Sequence, residues 1–249
     1  MYMDGEMTFS DGIKYFLSGF SILQTKGLKR FVLVPLIVNF VLFTVAIVYL
    51  LSELGLHIDW LVSHLPSWLT WLESLIYPTA LILLLFTFSL FFSTAANWLA
   101  APFNGVLAER VEQHLSGEVP DRDNIIALVK AIPHTLLREW KKLWYFIPRF
   151  IGYFLLGFIL PGIGQIIWFL FIAWVLAIQY CDYAFDNNKH QFDHMRYVLR
   201  QNKSACFGFG TMVSIFTLVP VLNLLVMPVA ICGATAMWVD ELKKQTQQP

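Results

Sequence analysis

Charge is scarce in this chain. Only 14% of its 249 residues are Asp, Glu, Lys or Arg, and 57% are hydrophobic, whereas soluble globular chains carry roughly 25% charged residues. Too little polar material is present to coat a water-facing surface, which excludes a soluble enzyme. Net charge is also missing: seventeen Lys and Arg balance seventeen Asp and Glu, so no basic face is available for nucleic acid. Cysteine is limited to Cys181, Cys206 and Cys232, an odd and widely spaced set, two of them inside apolar runs, that suits neither a disulfide framework nor a zinc site. GxSxG, Walker A, HExxH and GxGxxG patterns are all absent, and no low-complexity stretch or linker divides the chain. The acidic start, Met1 to Glu6, does not have the pattern of a cleavable leader. What remains is an integral membrane protein in one domain, 1–249.

Four long stretches contain no Asp, Glu, Lys or Arg: Phe31 to Ser52, Ser74 to Ala108, Phe150 to Cys181 and Ser204 to Val239. About 20 apolar residues cross the hydrocarbon core as a helix. The first stretch predicts a transmembrane helix over 31–52. The second, bracketed by Pro78 and Pro102, predicts another over 77–101. The last two are interrupted near their middles, at Leu160-Pro161-Gly162-Ile163-Gly164-Gln165 and at Val219-Pro220-Val221-Leu222-Asn223, where Pro, Gly and Asn stop helices. Before the first break lie 11 apolar residues, Phe150 to Leu160, which as a helix reach only about half of a ~30 Å core. Two re-entrant helical hairpins, 150–181 and 204–239, are therefore expected. Pairs of full crossings have the same parity.

Loop charges give a consistent topology. Glu53 to Glu73 has three acids and no Lys or Arg, whereas the other polar segments carry four, seven, four and two Lys or Arg in chain order. The positive-inside rule puts that loop outside and the rest in the cytoplasm. Phe9, Ile13, Phe16, Leu17 and Phe20 repeat at helical spacing, with Lys14 and Lys26 on the wet side. This predicts an amphipathic interfacial helix over 9–26, with Ser10 or Asp11 as N-cap. Cytoplasmic helices are expected over 103–149, bent at Pro133. Their apolar face holds Ile125, Leu128, Val129, Ile132, Leu136 and Trp140, with Lys130, Arg138, Lys141 and Lys142 elsewhere. The fold class is an all-α integral membrane protein.

Polar side chains inside the apolar stretches must be satisfied by protein or water. They are Asn39, Asn97, Asn104, Gln165, Gln179 and Asn223, which suit interhelical hydrogen bonds or caps. Gln165 and Asn223 lie at the breaks and are the better candidates for lining a polar pathway. Thr25-Lys26-Gly27-Leu28-Lys29-Arg30 immediately precedes the first span. Here a glycine, the unpaired amides of a helix start and two cations form a pocket suited to an oxyanion. The competing reading has Lys29 and Arg30 as interfacial anchors. Glu109 and Arg110 begin a polar helix after the Asn104-Gly105 turn, and Glu109 is a candidate to pair with a base such as Arg30 and gate that pocket. His190 and His194 have a metal-compatible spacing but no third ligand. Neither a metal nor a cofactor is expected.

Several strings then converge: Gly27-Leu28-Lys29-Arg30-Phe31 through Leu36, Phe92 through Pro102-Phe103-Asn104-Gly105, Pro161-Gly162-Ile163-Gly164-Gln165, Ala177-Ile178-Gln179-Tyr180-Cys181-Asp182-Tyr183, and Met227-Pro228 through Trp238-Val239-Asp240. With these, the chain resembles the CysZ family of bacterial sulfate permeases from about Gly12 to Asp240. The resemblance implies a multi-pass inner-membrane protein that admits sulfate for cysteine biosynthesis. It further implies two long transmembrane helices, two pairs of half-membrane helices and homo-oligomers in the lipid bilayer. The family's Gly-Leu-Arg sulfate motif maps onto Gly27, Leu28 and Lys29, with Arg30 following. Lysine at 29 keeps a point charge but loses the planar fork of arginine, which Arg30 is placed to supply. Sulfite is a second candidate anion. A non-transporting membrane scaffold or regulator is the alternative, and an enzyme is not expected because no nucleophile, base or metal ligands cluster.

Overall fold

The computed structural model describes residues 7–25, 27–117 and 125–246. The expectations for the acidic start, for Lys26 and for Asp121 to Asn124 lie outside them. The described residues are helical throughout, with no strand: α1 (Phe9–Leu23), α2 (Arg30–Ser63), a 3-10 turn (Ser67–Leu72), α3 (Glu73–Ser116), α4 (Ile125–Ile159), α5 (Ile163–Asn187), α6 (Phe192–Gln201), α7 (Lys203–Thr217), α8 (Pro220–Met237), a π turn (Trp238–Leu242) and α9 (Lys243–Thr246). The chain divides into two compact units, one of Leu33–Ala100 and the other of Met1–Val32 with Ala101–Pro249.

The smaller unit consists of the long arms of α2 and α3. Phe43 meets the rings of Phe88 and Phe92 at 5.2 and 5.1 Å. Ile37–Ser63 is long and apolar enough to cross a membrane, and none of its most apolar window is buried within the chain. A helix apolar on all sides with no residue of that window buried needs lipid or another copy around it. Both arms outrun their expected bounds. α3 passes Pro78 at its start and continues through Pro102 and Asn104-Gly105 to Ser116.

In the larger unit, α1 lies against α7 and α8 at backbone contact distance. A Cβ on Gly12 would stand 1.9 Å from the Ala205 carbonyl oxygen, and one on Gly233 would stand 2.3 Å from that of Tyr15. Small residues that allow such approach are the usual device of helix packing in membranes. Phe16, wholly buried, fills the junction and meets Phe209 and Phe216 edge-on. α1 therefore buries a narrow stripe of Gly12, Phe16 and Gly19, while Phe9 and Leu17 remain exposed. Its N-cap is Thr8 rather than Ser10 or Asp11. Asp11 is the third helical residue and completes a capping box.

Both expected breaks occur. α4 ends at Ile159 and α5 begins at Ile163, with Gly162 at φ 86°. α7 ends at Thr217 and α8 begins with Pro220 at its first turn. Between Ile125 and Ile159 the helix is continuous past Pro133 and Pro148, so no boundary separates cytoplasmic and membrane parts near Arg149. Leu137–Ile159, Ile163–Asn187 and Leu225–Thr246 are each long and apolar enough to cross a membrane.

Two of the basic residues expected off the apolar face of α4 are buried. Arg138 and Lys142 belong to the buried side of α4, at 9% and 2% exposure, whereas Leu137, Trp140 and Trp144 point outward at 64%, 58% and 68%. The cause is α5. Its Asp182 takes three hydrogen bonds from the Arg138 guanidinium, at 2.7 to 3.1 Å, and an ion pair from Lys142 at 3.1 Å. Arg138 also pairs with Asp186 at 2.9 Å and donates to the His190 carbonyl at 2.8 Å. The two cations lie one helical turn apart, so a single carboxylate on the next helix serves both. A hydrophobic outer face with an ionic inner seam is the arrangement a lipid-facing helix requires.

Candidate functional site

The turn ahead of α2 has the features expected of it. Gly27 sits at φ 95° with open space where a side chain would start, a backbone geometry that glycine adopts without strain. The Leu28 amide donates to the Thr25 carbonyl at 3.3 Å, and the Leu28 side chain is buried in the core. Lys29 and Arg30 are exposed, and Arg30 is the first residue of α2. A leucine plugged into the core thus fixes a turn whose next two residues present cations at the start of a 34-residue helix. At such a start the first amides have no partner within their helix and the dipole is positive, so an anion is favoured there.

Glu109 and Arg110 are brought together by a residue the sequence reading did not select. Gln113, one turn further along α3, accepts from Arg110 Nη1 at 3.0 Å and donates Nε2 to Glu109 Oε1 at 3.2 Å. Arg110 is buried while Glu109 is exposed. The two break residues act locally. Gln165 Oε1 accepts from the Gly162 amide and so caps α5. Asn223 is exposed, and its amide closes the first turn of α8 on the Val219 carbonyl at 2.8 Å. Asn104 makes interhelical hydrogen bonds, as an amide in an apolar stretch must. Its Nδ2 donates to the Tyr183 hydroxyl at 3.2 Å and faces Met227 Sδ at 3.4 Å.

Two polar clusters were missed. One is the Arg138–Lys142–Asp182 seam, whose signal in the sequence is two basic residues four apart on a long helix. The other surrounds Glu112 on α3. Its carboxylate accepts from Asn188 Nδ2 at 2.8 Å, from the Trp238 indole at 3.1 Å and from Lys243 at 2.9 Å. Nearby, Asn187 Nδ2 donates to the Gly105 carbonyl at 2.7 Å. These bonds hold the C-terminal part of α3 in helical form through Asn104-Gly105, against the turn preference of that dipeptide.

His190 and His194 stack at 5.4 Å. Burial pushes the His190 imidazole below its ordinary pKa, and His194 and Arg138 push the same way. Among the described residues no three His, Cys, Asp or Glu gather in a manner suited to a metal. All three cysteines are free and buried.

The family model described as sulfate transporter CysZ/etoposide-induced protein 2.4 matches residues 15–228. The sulfate transporter CysZ of Vibrio parahaemolyticus is 50% identical over 238 residues, covering 94% of this chain and 96% of its own. The protein of that name from Vibrio cholerae El Tor Inaba is 50% identical over 244 residues, covering 96% and 97%. The one from Salmonella typhimurium is 51% identical over 233 residues, covering 92% of each.

Proposed function

We propose that this chain, which belongs to the sulfate transporter CysZ/etoposide-induced protein 2.4 family, is a multi-pass permease of the bacterial inner membrane that admits sulfate for cysteine biosynthesis. The observation that carries this reading is half-identity, along nearly the whole of both chains, to relatives named sulfate transporters. The chain is not an enzyme.

Sulfate is strongly hydrated, so its site must replace water with N–H groups and cations. In this reading Gly27, Leu28, Lys29 and Arg30 collect the ion: Leu28 anchors the turn, Gly27 leaves the backbone uncovered, and the two cations hold the charge. Arg30 supplies a planar fork and Lys29 a point charge. The breaks at Pro161 and Pro220 then open half-helix ends along the route, with Gln165 and Asn223 beside them and Glu109 and Arg110 shaping the entrance. The hairpins 150–181 and 204–239 return to the side they left, because each is flanked on both sides by segments that carry Lys or Arg. Homo-oligomers fit the uncovered apolar surface of Ile37–Ser63. Sulfite, with the same charge, is a second candidate cargo. With no ATP-binding motif in the sequence, a gradient or consumption of sulfate drives entry.

Purified protein in liposomes tests this. Labelled sulfate enters faster than into empty vesicles, and Arg30→Ala abolishes most of the excess while leaving the protein folded in detergent. Flux equal to that of empty vesicles would make the chain a scaffold. Undiminished flux in the variant would return Arg30 to an anchoring role.

A further inference from the structure

Three N–H donors converge on the Glu112 carboxylate. Its three donors come from three places: Asn188 caps the C-terminus of α5, Trp238 opens the π turn, and Lys243 begins α9. All three present N–H groups to the same carboxylate, two on Oε1 and one on Oε2. N–H donors aimed at one point, with one full positive charge among them, are the chemistry that binds a deprotonated oxyanion. The donors are fixed in place. Trp238 is 1% exposed and packs on Phe185 at 4.5 Å and on His190 at 5.5 Å. Asn188 is also tied to the Ala184 carbonyl at 2.9 Å. The occupant is less confined. The Glu112 side chain retains 12% exposure and that of Lys243 33%, so one edge of the receptor opens outward. A π turn at this position fits, since such turns concentrate where a helix must re-aim side chains at a site.

We propose that Glu112 is a tethered anion occupying a second oxyanion station, and that a free tetrahedral dianion takes its place among Asn188, Trp238 and Lys243 when the carboxylate swings out. This deepens the permease reading, on which it rests for the identity of the ion. Without Glu112 the station carries one net positive charge and two neutral donors, which suits sulfate. With Glu112 in place it is closed. The exchange of one anion for another needs no other group to change protonation.

The test compares thermal unfolding of the full-length protein in detergent in sodium sulfate and in sodium chloride of equal ionic strength. Wild type, Arg30→Ala, the Arg30→Ala/Glu112→Ala double variant and a triple variant adding Trp238→Phe are measured. Arg30→Ala loses the extra stabilisation by sulfate, the double variant regains it, and the triple variant loses it again. Phenylalanine keeps an aromatic ring in the pocket but removes part of the indole along with its N–H, so the difference between the two salts is read and not the absolute stability. Equilibrium dialysis with labelled sulfate shows Glu112→Ala binding one more ion per chain than wild type. A double variant with the same response to the two salts as Arg30→Ala overturns the proposal. So does one that folds in neither salt, because sulfate then fails to replace the carboxylate; folding in sulfate but not in chloride supports it. If Arg30→Ala itself keeps the wild-type response, the assignment of the first station fails, and the Glu112 station is still judged by the difference between Arg30→Ala and the double variant.

Discussion

Asp182 on α5 and Arg138 on α4, 44 residues apart in sequence, meet through three hydrogen bonds that leave the guanidinium 10% and the carboxylate 3% exposed. Lys142, at 2%, shares the same carboxylate. Asp182 is the one anion the two buried cations share, while of these two Asp186 pairs with Arg138 alone and Glu139 with Lys142 alone.

Asp182→Asn therefore lowers stability in detergent by about 1–3 kcal/mol, less than a buried charge left wholly unpaired, because Asp186 still faces Arg138 and Glu139 still faces Lys142. Replacing Arg138, Lys142 and Asp182 together by methionine restores part of the loss, since a well-packed apolar seam roughly matches an intact ionic one but Asp186 and Glu139 lose their cations. Chemical denaturation of the single and triple variants distinguishes the pair. Equal losses in both would show that the seam contributes shape rather than charge compensation.

Gly208→Val drives α1 away from α7, because a Cβ there would sit 2.0 Å from the Phe9 carbonyl oxygen. Overpacking of this kind costs about 1–3 kcal/mol or more. Gly152→Ala is the control. That position has nothing within 4 Å and lies inside α4, where alanine gains about 1 kcal/mol in helix propensity. Opposite shifts in melting temperature are expected.

The start of α1 is acid-sensitive. Asp11 accepts from the Thr8 hydroxyl at 2.7 Å and from the Thr8 amide at 3.0 Å, and it pairs with Lys14 at 3.0 Å. The Thr8 hydroxyl, then Lys14, hold its carboxyl down at about 2 from an ordinary 3.8. A depressed acid stabilises the fold above its unfolded pKa, so this contribution is complete above pH 3.8 and is lost as the pH falls through about 2. Thr8→Ala removes the hydroxyl and costs about 1 kcal/mol near neutrality. Amide exchange along α1 between pH 5 and pH 2 then shows a smaller loss of protection in the variant than in wild type.

Lys29→Arg tightens sulfate binding by roughly a few-fold, because a planar two-donor fork replaces a point charge. Gly27→Ala weakens it, since a side chain at φ 95° strains the turn by about 1–2 kcal/mol. Calorimetric titration of the two variants against wild type checks both signs. A Lys29→Arg variant that binds no better would leave Arg30 as the sole fork at the turn.

Several features were legible in the sequence because they are local. Charge-free runs set which segments cannot face water, and the Pro161-Gly162 and Pro220 breaks ended helices where the missing amide and the positive φ require it. The Gly27 turn followed from a glycine before a helix start. Local signals failed where distant partners decided the outcome. Pro102 and Asn104-Gly105 read as a helix end, yet α3 runs through them because Tyr183, Met227 and Asn187 take up Asn104 and Gly105 from other helices. Arg138 and Lys142 read only as residues off the apolar face, yet Asp182 draws them inward while Trp140 and Trp144 stay outward. Hydropathy records what a side chain needs, not which neighbour supplies it. In a membrane the supplier must be protein, so the direction of each charged side chain, and the three donors around Glu112, were settled only when the helices packed.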